Sequence, residues 1–189
     1  MGGCSGECAC TDAIPARSLY ASIDINGVTG INEQVRGCCR EVVKKSHAER
    51  NGGVVAVAKD GQRLIVKIPF ISKVALSRIE IKSSFKQLCV FANNRYVTLS
   101  SKPKPGESYC LPGDDHIIRV NLPSYKYKSV DFVALYLQDA GEGEGTLSYL
   151  CLCGEVTGSL AKAVNVSYEL YPIPEDTKIS EKSHSTILQ

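Results

Sequence analysis

Short runs of aliphatic and β-branched residues, separated by turn-forming residues, recur along this sequence and restrict the folds open to it. Strands are predicted at residues 63–70, 74–82, 88–91, 116–122, 130–138, 147–153 and 164–170. The segments between them carry turn signals such as Asn93-Asn94, Pro112-Gly113 and the glycine-rich residues 141–145. Short strands at this spacing are typical of an all-β sandwich or barrel.

The hydrophobic alternation changes phase once within the run at residues 74–82. Val74 and Leu76 occupy even positions, whereas Ile79 and Ile81 occupy odd positions. Side chains alternate between the two faces of a strand, so one extra residue is needed to keep all four on the same face. The sequence therefore predicts a β-bulge near Ser77.

The length of 189 residues fits one domain, because two domains would each be near the lower limit for a self-supporting core. We expect this domain at residues 18–174, between a flexible Gly/Cys-rich arm at 1–17 and a flexible polar tail at 175–189. Residues 32–45 are the one segment that could instead form a helix. The vicinal pairs Cys38-Cys39 and Val42-Val43 argue against that helix.

Charge and hydropathy exclude several classes of partner. The net charge of +2 is too small to favour nucleic acid or an anionic membrane. No apolar run approaches the roughly 20 residues that span a bilayer. The first ten residues have neither the basic nor the apolar region of a secretory signal, so we expect an intracellular protein of the cytoplasm or nucleus.

The nine cysteines are an odd number and, in a reducing compartment, are expected to be free thiols. Cys4, Cys8 and Cys10 could bind a soft metal, but no second pair completes a zinc site, and incidental thiols are the favoured interpretation. Cys151 and Cys153 share one face of a predicted strand. Core packing is favoured for them over a redox dithiol, because the sequence has no Cys-x-x-Cys motif.

No catalytic or phosphate-binding pattern stands out, so we expect neither an enzyme nor a bound cofactor or metal. The three histidines, His47, His116 and His184, are far apart in sequence. A basic cluster is interpreted as a solvated face rather than an anion site, since Glu41 and Glu49 interrupt it. The cluster consists of Arg40, Lys44, Lys45 and Arg50.

An ordered series of motifs resembles the PITH domain, the C-terminal module of a proteasome-associated thioredoxin-like protein. The motifs are Leu19-Tyr20-x-x-Ile23-Asp24, Ile31-Asn32-Glu33, Arg40-Glu41-Val42-Val43-Lys44, Leu64-Ile65-x-x-Ile68-Pro69-Phe70, Val74-x-Leu76-x-x-Ile79-x-Ile81, Tyr149-Leu150-x-Leu152-x-Gly154-Glu155-x-Thr157 and Tyr168-Glu169-x-x-Pro172-x-Pro174-x-Asp176-x-Lys178. The chain departs from the family at Val156, where tryptophan is common. Without a thioredoxin domain, it looks like the stand-alone members.

The resemblance implies a jelly-roll β-sandwich of the galactose-binding-like kind and association with the regulatory particle of the proteasome. We therefore expect a monomeric, non-catalytic protein-interaction module. The alternatives are a jelly roll that binds a carbohydrate or other small molecule, with Tyr125 and Tyr127 as aromatic platforms, and a thiol-based redox enzyme.

Partner contacts are expected at the late motifs and in the tail. The residues are Gly154, Glu155, Pro172, Pro174, Asp176, Lys178 and His184. The tail ends in Ile187-Leu188-Gln189, which could order in a groove of the partner, and His184 could ligate a metal that the partner supplies. An inert terminus is the alternative.

Overall fold

A computed structural model describes residues 17–44, 49, 53–102, 107–113 and 116–159 of the chain. The strand predicted at residues 164–170 and the predicted tail lie outside these residues, as does the predicted arm before Arg17. The domain boundaries predicted from the sequence therefore stay predictions.

Strands dominate the described residues, as predicted. They are β1 Arg17–Ser18, β2 Thr29–Ile31, β3 Ala56–Val57, β4 Arg63–Ser83, β5 Gln87–Ala92, β6 Ser108–Cys110, β7 Ile118–Asn121, β8 Val130–Gln138 and β9 Thr146–Ser159. The helical alternative for residues 32–45 is reduced to the four-residue helix α1, Cys38–Glu41. Short 3₁₀ turns at Tyr20–Ser22 and Ile25–Gly27 lie between β1 and β2.

The long strand β4 connects the two layers of the sheet. Its first half pairs antiparallel with β8 from Arg63 to Pro69, and its second half pairs antiparallel with β9 from Ser72 to Ser83. The main strand order is β1-β9-β4-β8-β5-β6. The sheet therefore curls about β4 into two facing layers, and the predicted β-sandwich is confirmed.

The two strands predicted at residues 63–70 and 74–82 are one continuous strand, which corrects the sequence interpretation. The pairing with β8 changes register between Pro69 and Val74. Proline lacks an N–H group and is tolerated inside a sheet at such irregularities. The Pro69 carbonyl oxygen still accepts a hydrogen bond from Asp24 N at 3.0 Å. Pro69 thus marks a register change and not the end of a strand.

The predicted β-bulge is confirmed at Ser77. Leu76 pairs with Gly154, and Arg78 pairs with the next residue of β9, Cys153, so Ser77 is the extra residue. Because of this bulge, the aliphatic side chains before and after it all reach the main core. These side chains are Val74, Leu76, Ile79 and Ile81.

Alternate residues of β4, β8 and β9 are buried on opposite faces of the sheet. Leu64, Leu135 and Leu150 belong to the main core between the layers. A second apolar cluster on one outer face includes Ile65, Cys89, Phe132 and Tyr136. A third, on another outer face, consists of Tyr149, Cys151 and Cys153, with Ile117 packed against it. Both faces of β8 and β9 are therefore apolar along much of their length.

Candidate functional site

Gly154, the first predicted contact residue, is buried in β9. A Cβ atom built on Gly154 would overlap the carbonyl oxygen of Ala75 and lie 3.1 Å from Leu19 Cδ1. Only glycine allows β4 to approach β9 this closely. Gly154 therefore serves the packing of the strands, and its side of β9 is closed to a partner.

Glu155, the second predicted contact residue, is exposed next to Gly154. Val156 follows with 59% of its surface exposed, and Ile71 on β4 is 56% exposed. Ile71 lies three residues before Val74, which pairs with Val156. We call Glu155, Val156 and Ile71 the β9 patch. All three residues are exposed near the end of the β4–β9 ladder at which Ser72 pairs with Ser159, and Glu155 and Val156 lie on opposite faces of β9 because they are successive residues of a strand.

The remaining predicted contact residues all lie outside the described residues. They are Pro172, Pro174, Asp176, Lys178 and His184.

Cys151 and Cys153 form a pair of free thiols, as expected, on the outer face of β9. Their Sγ atoms are 3.9 Å apart, and Cys151 Sγ is 3.7 Å from Ser18 Oγ. The intervening Leu152 points into the main core. The sequence left open which face of the strand was the inner one. In the structure, Leu150 and Leu152 lie on the inner face, and the two cysteines lie on the outer face.

The two thiols share one hydrogen bond, which separates their pKa values. The hydrogen bond with Cys153 lowers the pKa of Cys151 to about 7, with help from Ser18 and against the effect of burial. The same hydrogen bond and burial raise the pKa of Cys153. Cys151 is therefore the more acidic of the two thiols, but its burial limits the access of any reagent.

A buried carboxylate lies beside this pair. Glu80 on β4 is the register partner of Cys151, and Arg119 Nε approaches its Oε1 at 3.3 Å. The negative charge of Glu80 opposes ionisation of Cys151. The arrangement is consistent with a packed polar cluster on the outer face rather than an open catalytic centre.

The predicted solvated basic face is wrong for Arg40. This side chain is half-buried, and its Nε atom is buried without a hydrogen-bond acceptor among the described residues. Arg40 lies on α1 next to Cys39. Cys39 is fully buried in the main core and holds the helix against the sheet. Lys45 and Arg50 lie outside the described residues. No sequence signal distinguished Arg40 from an ordinary surface arginine.

The suggested aromatic platform is also corrected. Tyr125 is exposed, but Tyr127 is buried in the main core. Its hydroxyl group donates to the Val90 carbonyl oxygen at 3.5 Å. The two tyrosines therefore do not form a shared surface for a sugar ring.

Among the described residues, no three His, Cys, Asp or Glu side chains come close enough together to hold a metal ion. None of the helices described has the length and apolar composition to cross a bilayer. Cys4, Cys8 and Cys10, the soft-metal alternative, lie outside the described residues.

Solved structures share the fold of this chain at low sequence identity. The CBM32-1 and CBM32-2 domains of Clostridium perfringens ZmpB match with a TM-score of 0.52 at 12% identity, over 74% of this chain and 36% of that chain. The same domains in complex with GalNAc match with a TM-score of 0.51 at 12% identity, over 74% of this chain and 35% of that chain. These similarities support the galactose-binding-like β-sandwich and show the fold alone.

Sequence comparison is more specific than the fold. The PITH domain-containing protein CG6153 of Drosophila melanogaster is 26% identical over 181 residues, which cover 89% of this chain and 86% of that protein. The family model described as the PITH domain matches residues 10–172. This match includes every described strand, the bulge at Ser77 and the close approach at Gly154. The chain therefore belongs to the PITH domain family.

Proposed function

We propose that this protein is a non-catalytic interaction module that associates with the regulatory particle of the proteasome. The observation that supports the proposal is the match to the PITH domain over residues 10–172. The resemblance found in the sequence implies that this domain is the C-terminal module of a proteasome-associated thioredoxin-like protein. The proposed role requires a surface that binds protein and does not require a catalytic centre.

The β9 patch is the part of the described surface that best suits such a contact. A β-sandwich pairs most of its strand backbone internally and therefore recognises partners through loops, exposed strand ends and tails. Val156 and Ile71 offer apolar area at a strand end, and Glu155 adds a charge that can orient a partner. Both contact modes predicted from the sequence, through the late motif and through the tail, are part of the proposal.

Affinity purification of the tagged full chain from cell lysate tests the proposal. Mass spectrometry is expected to detect subunits of the regulatory particle with the wild-type chain. The double variant Glu155→Lys/Val156→Asp is expected to lower their recovery by about tenfold, the usual size of the effect when an interface centre is altered. Removal of residues 179–189 measures the contribution of the tail separately.

A matched control uses exposed residues away from the β9 patch. Glu142→Lys with Tyr96→Asp makes the same kinds of change at Glu142 and Tyr96, which are both exposed. Recovery and thermal stability of this control are expected to equal those of the wild type. If the wild-type chain recovers no regulatory-particle subunits above a tag-only control, the proposal is wrong. If only the tail removal lowers recovery, association stands and the β9 patch is rejected as its site.

A further inference from the structure

A cavity of about 370 Å³ lies between β2 and α1, at a place that the proposed function does not use. Its polar lining comes from Thr29, Asn32, Glu33, Arg36 and Arg40. Two guanidinium groups and one carboxylate give this lining a formal charge of +1. The volume is within the range of about 300–1,000 Å³ that is usual for pockets that bind small molecules.

Glu33 is already engaged by the backbone. Its Oε1 accepts a hydrogen bond from Gly37 N at 2.8 Å, and its Oε2 accepts one from Cys39 N at 3.1 Å. A Cβ atom on Gly30 would lie 2.6 Å from both Glu33 Oε2 and Cys39 Sγ, so this wall of the cavity is closely packed. The carboxylate of Glu33 therefore holds α1 against β2.

Asn32 is engaged in a similar way. Its Nδ2 donates to the carbonyl oxygen of Arg63 at 2.6 Å, and its backbone has a φ of 70°. This hydrogen bond ties Asn32 to β4. The charged groups of the lining that remain available to a ligand are therefore Arg36 and Arg40.

Arg40 has hydrogen-bonding capacity that the described protein atoms do not fill. Its Nη2 donates to the carbonyl oxygen of Asn26 at 3.2 Å, but its Nε is buried and has no acceptor. An arginine in a protein remains charged, so this N–H group cannot be neutralised by losing a proton. A buried donor without a partner is destabilising and needs a physical explanation.

Arg36 adds a second positive charge to the same cavity. It is exposed, and neither Arg36 nor Arg40 forms an ion pair within the part of the chain that the structure describes. A guanidinium group binds carboxylate and phosphate oxygens through paired N–H donors. Arg40 can supply a partly desolvated contact of this kind, and Arg36 can close over the same ligand from the solvent side.

We propose that this cavity binds a small molecule that carries a carboxylate or phosphate group, with Arg40 as the main anchor and Arg36 as the second. The oxyanion accepts from the guanidinium groups of Arg40 and Arg36 and balances the positive charge of the lining. This site is independent of the β9 patch and of any proteasome association.

The test uses the full chain labelled with ¹⁵N and follows the arginine Nε–H signals by NMR. Inorganic phosphate and acetate are added separately at constant ionic strength, and sodium chloride is the reference. The Arg40 signal is expected to shift saturably with at least one of the two probes. The stronger probe identifies the preferred oxyanion.

Three variants connect this binding to the cavity. Arg40→Gln and Arg36→Gln are each expected to weaken the binding, by at least about tenfold for Arg40, because a charge-assisted hydrogen bond is lost. Arg95→Gln removes an arginine that is 59% exposed and pairs with Asp131 elsewhere, and it is expected to change nothing. Because Arg36 is exposed, its replacement keeps the test interpretable if Arg40→Gln fails to fold.

Two results would overturn the proposal. One is the absence of any saturable shift of the Arg40 signal with phosphate and with acetate. The other is saturable binding with the same affinity in Arg36→Gln, Arg40→Gln and Arg95→Gln. The anion would then bind at another site.

Discussion

Cys151 Sγ lies 3.9 Å from Cys153 Sγ on the outer face of β9, while the intervening Leu152 points into the main core. The strand is thus apolar on both faces, and the thiols are only 2% and 5% exposed. Cys151 is the more acidic thiol of the pair, because its pKa is lowered. Its burial restricts which reagents can react with it.

Thiol modification of the native protein is expected to discriminate strongly among the cysteines. Exposed Cys110 should react with iodoacetamide rapidly. Cys151 and Cys153 should react only as fast as the sheet opens locally, because the reagent cannot reach them in the closed state. Peptide mass spectrometry at successive times measures each site. Modification of Cys151 and Cys153 at the rate of Cys110 would contradict the burial described.

The acidity of Cys151 predicts a pH dependence of stability. Between pH 7 and 9 a folded thiol with this lowered pKa loses its proton, whereas an ordinary cysteine in the unfolded chain loses less of it. The unfolded state then binds more protons, so the free energy of unfolding rises with pH, by about 1.4 kcal/mol per pH unit at most. Above pH 9 the trend reverses, because Cys153 stays protonated only in the folded state.

Urea unfolding of the wild type and of Cys151→Ala at pH 7, 8 and 9 measures this dependence. The difference between the two proteins removes the contribution of titrating groups that do not interact with Cys151. A difference that stays constant or falls over this range would show that the pKa of Cys151 is not lowered in the folded protein.

Replacement of Gly154 by alanine is expected to destabilise the sandwich by about 3 kcal/mol, the upper part of the range for overpacking. The new methyl group would meet the Ala75 carbonyl oxygen, which cannot move without disturbing the β4–β9 ladder. Gly158→Ala is the matched control in the same strand, since no heavy atom lies within 4 Å of its added Cβ. Chemical denaturation should show a change within about 1 kcal/mol for this control. Equal effects of the two substitutions would reject the close approach at Gly154.

Deletion of Ser77 is expected to abolish stable folding. Without the extra residue, either Val74 and Leu76 or Ile79 and Ile81 must turn away from the main core. Burial of a side chain of this size contributes about 1.5–3 kcal/mol. Exposing two of them would remove a large part of the free energy of unfolding of a typical domain, which is about 5–15 kcal/mol. Deletion of Gly143, which lies in an exposed loop, is the control and should keep a cooperative thermal transition. A folded Ser77 deletion with wild-type stability would contradict the bulge.

The sequence by itself determined the elements whose signal is local. The residues of β8, Val130–Gln138, are apolar except for Asp131 and Gln138, and this strand was predicted with the bounds that the structure has. The phase change between Leu76 and Ile79 was sufficient to predict the bulge, because side-chain alternation follows directly from strand geometry. The ordered motifs were sufficient to indicate the PITH family.

Only the tertiary structure decided which short segments pair and which side chains are enclosed. The strands β1, β2, β3 and β6 have two or three residues each, too few for a periodic signal, and they exist because β9, β4 and β5 offer them hydrogen-bonding partners. Gly154 is a packing residue only because Ala75 lies against it. Arg40 becomes a half-buried donor only because Cys39, its neighbour in α1, is drawn into the main core. Burial and pairing depend on residues distant in sequence, and a local pattern carries no information about them.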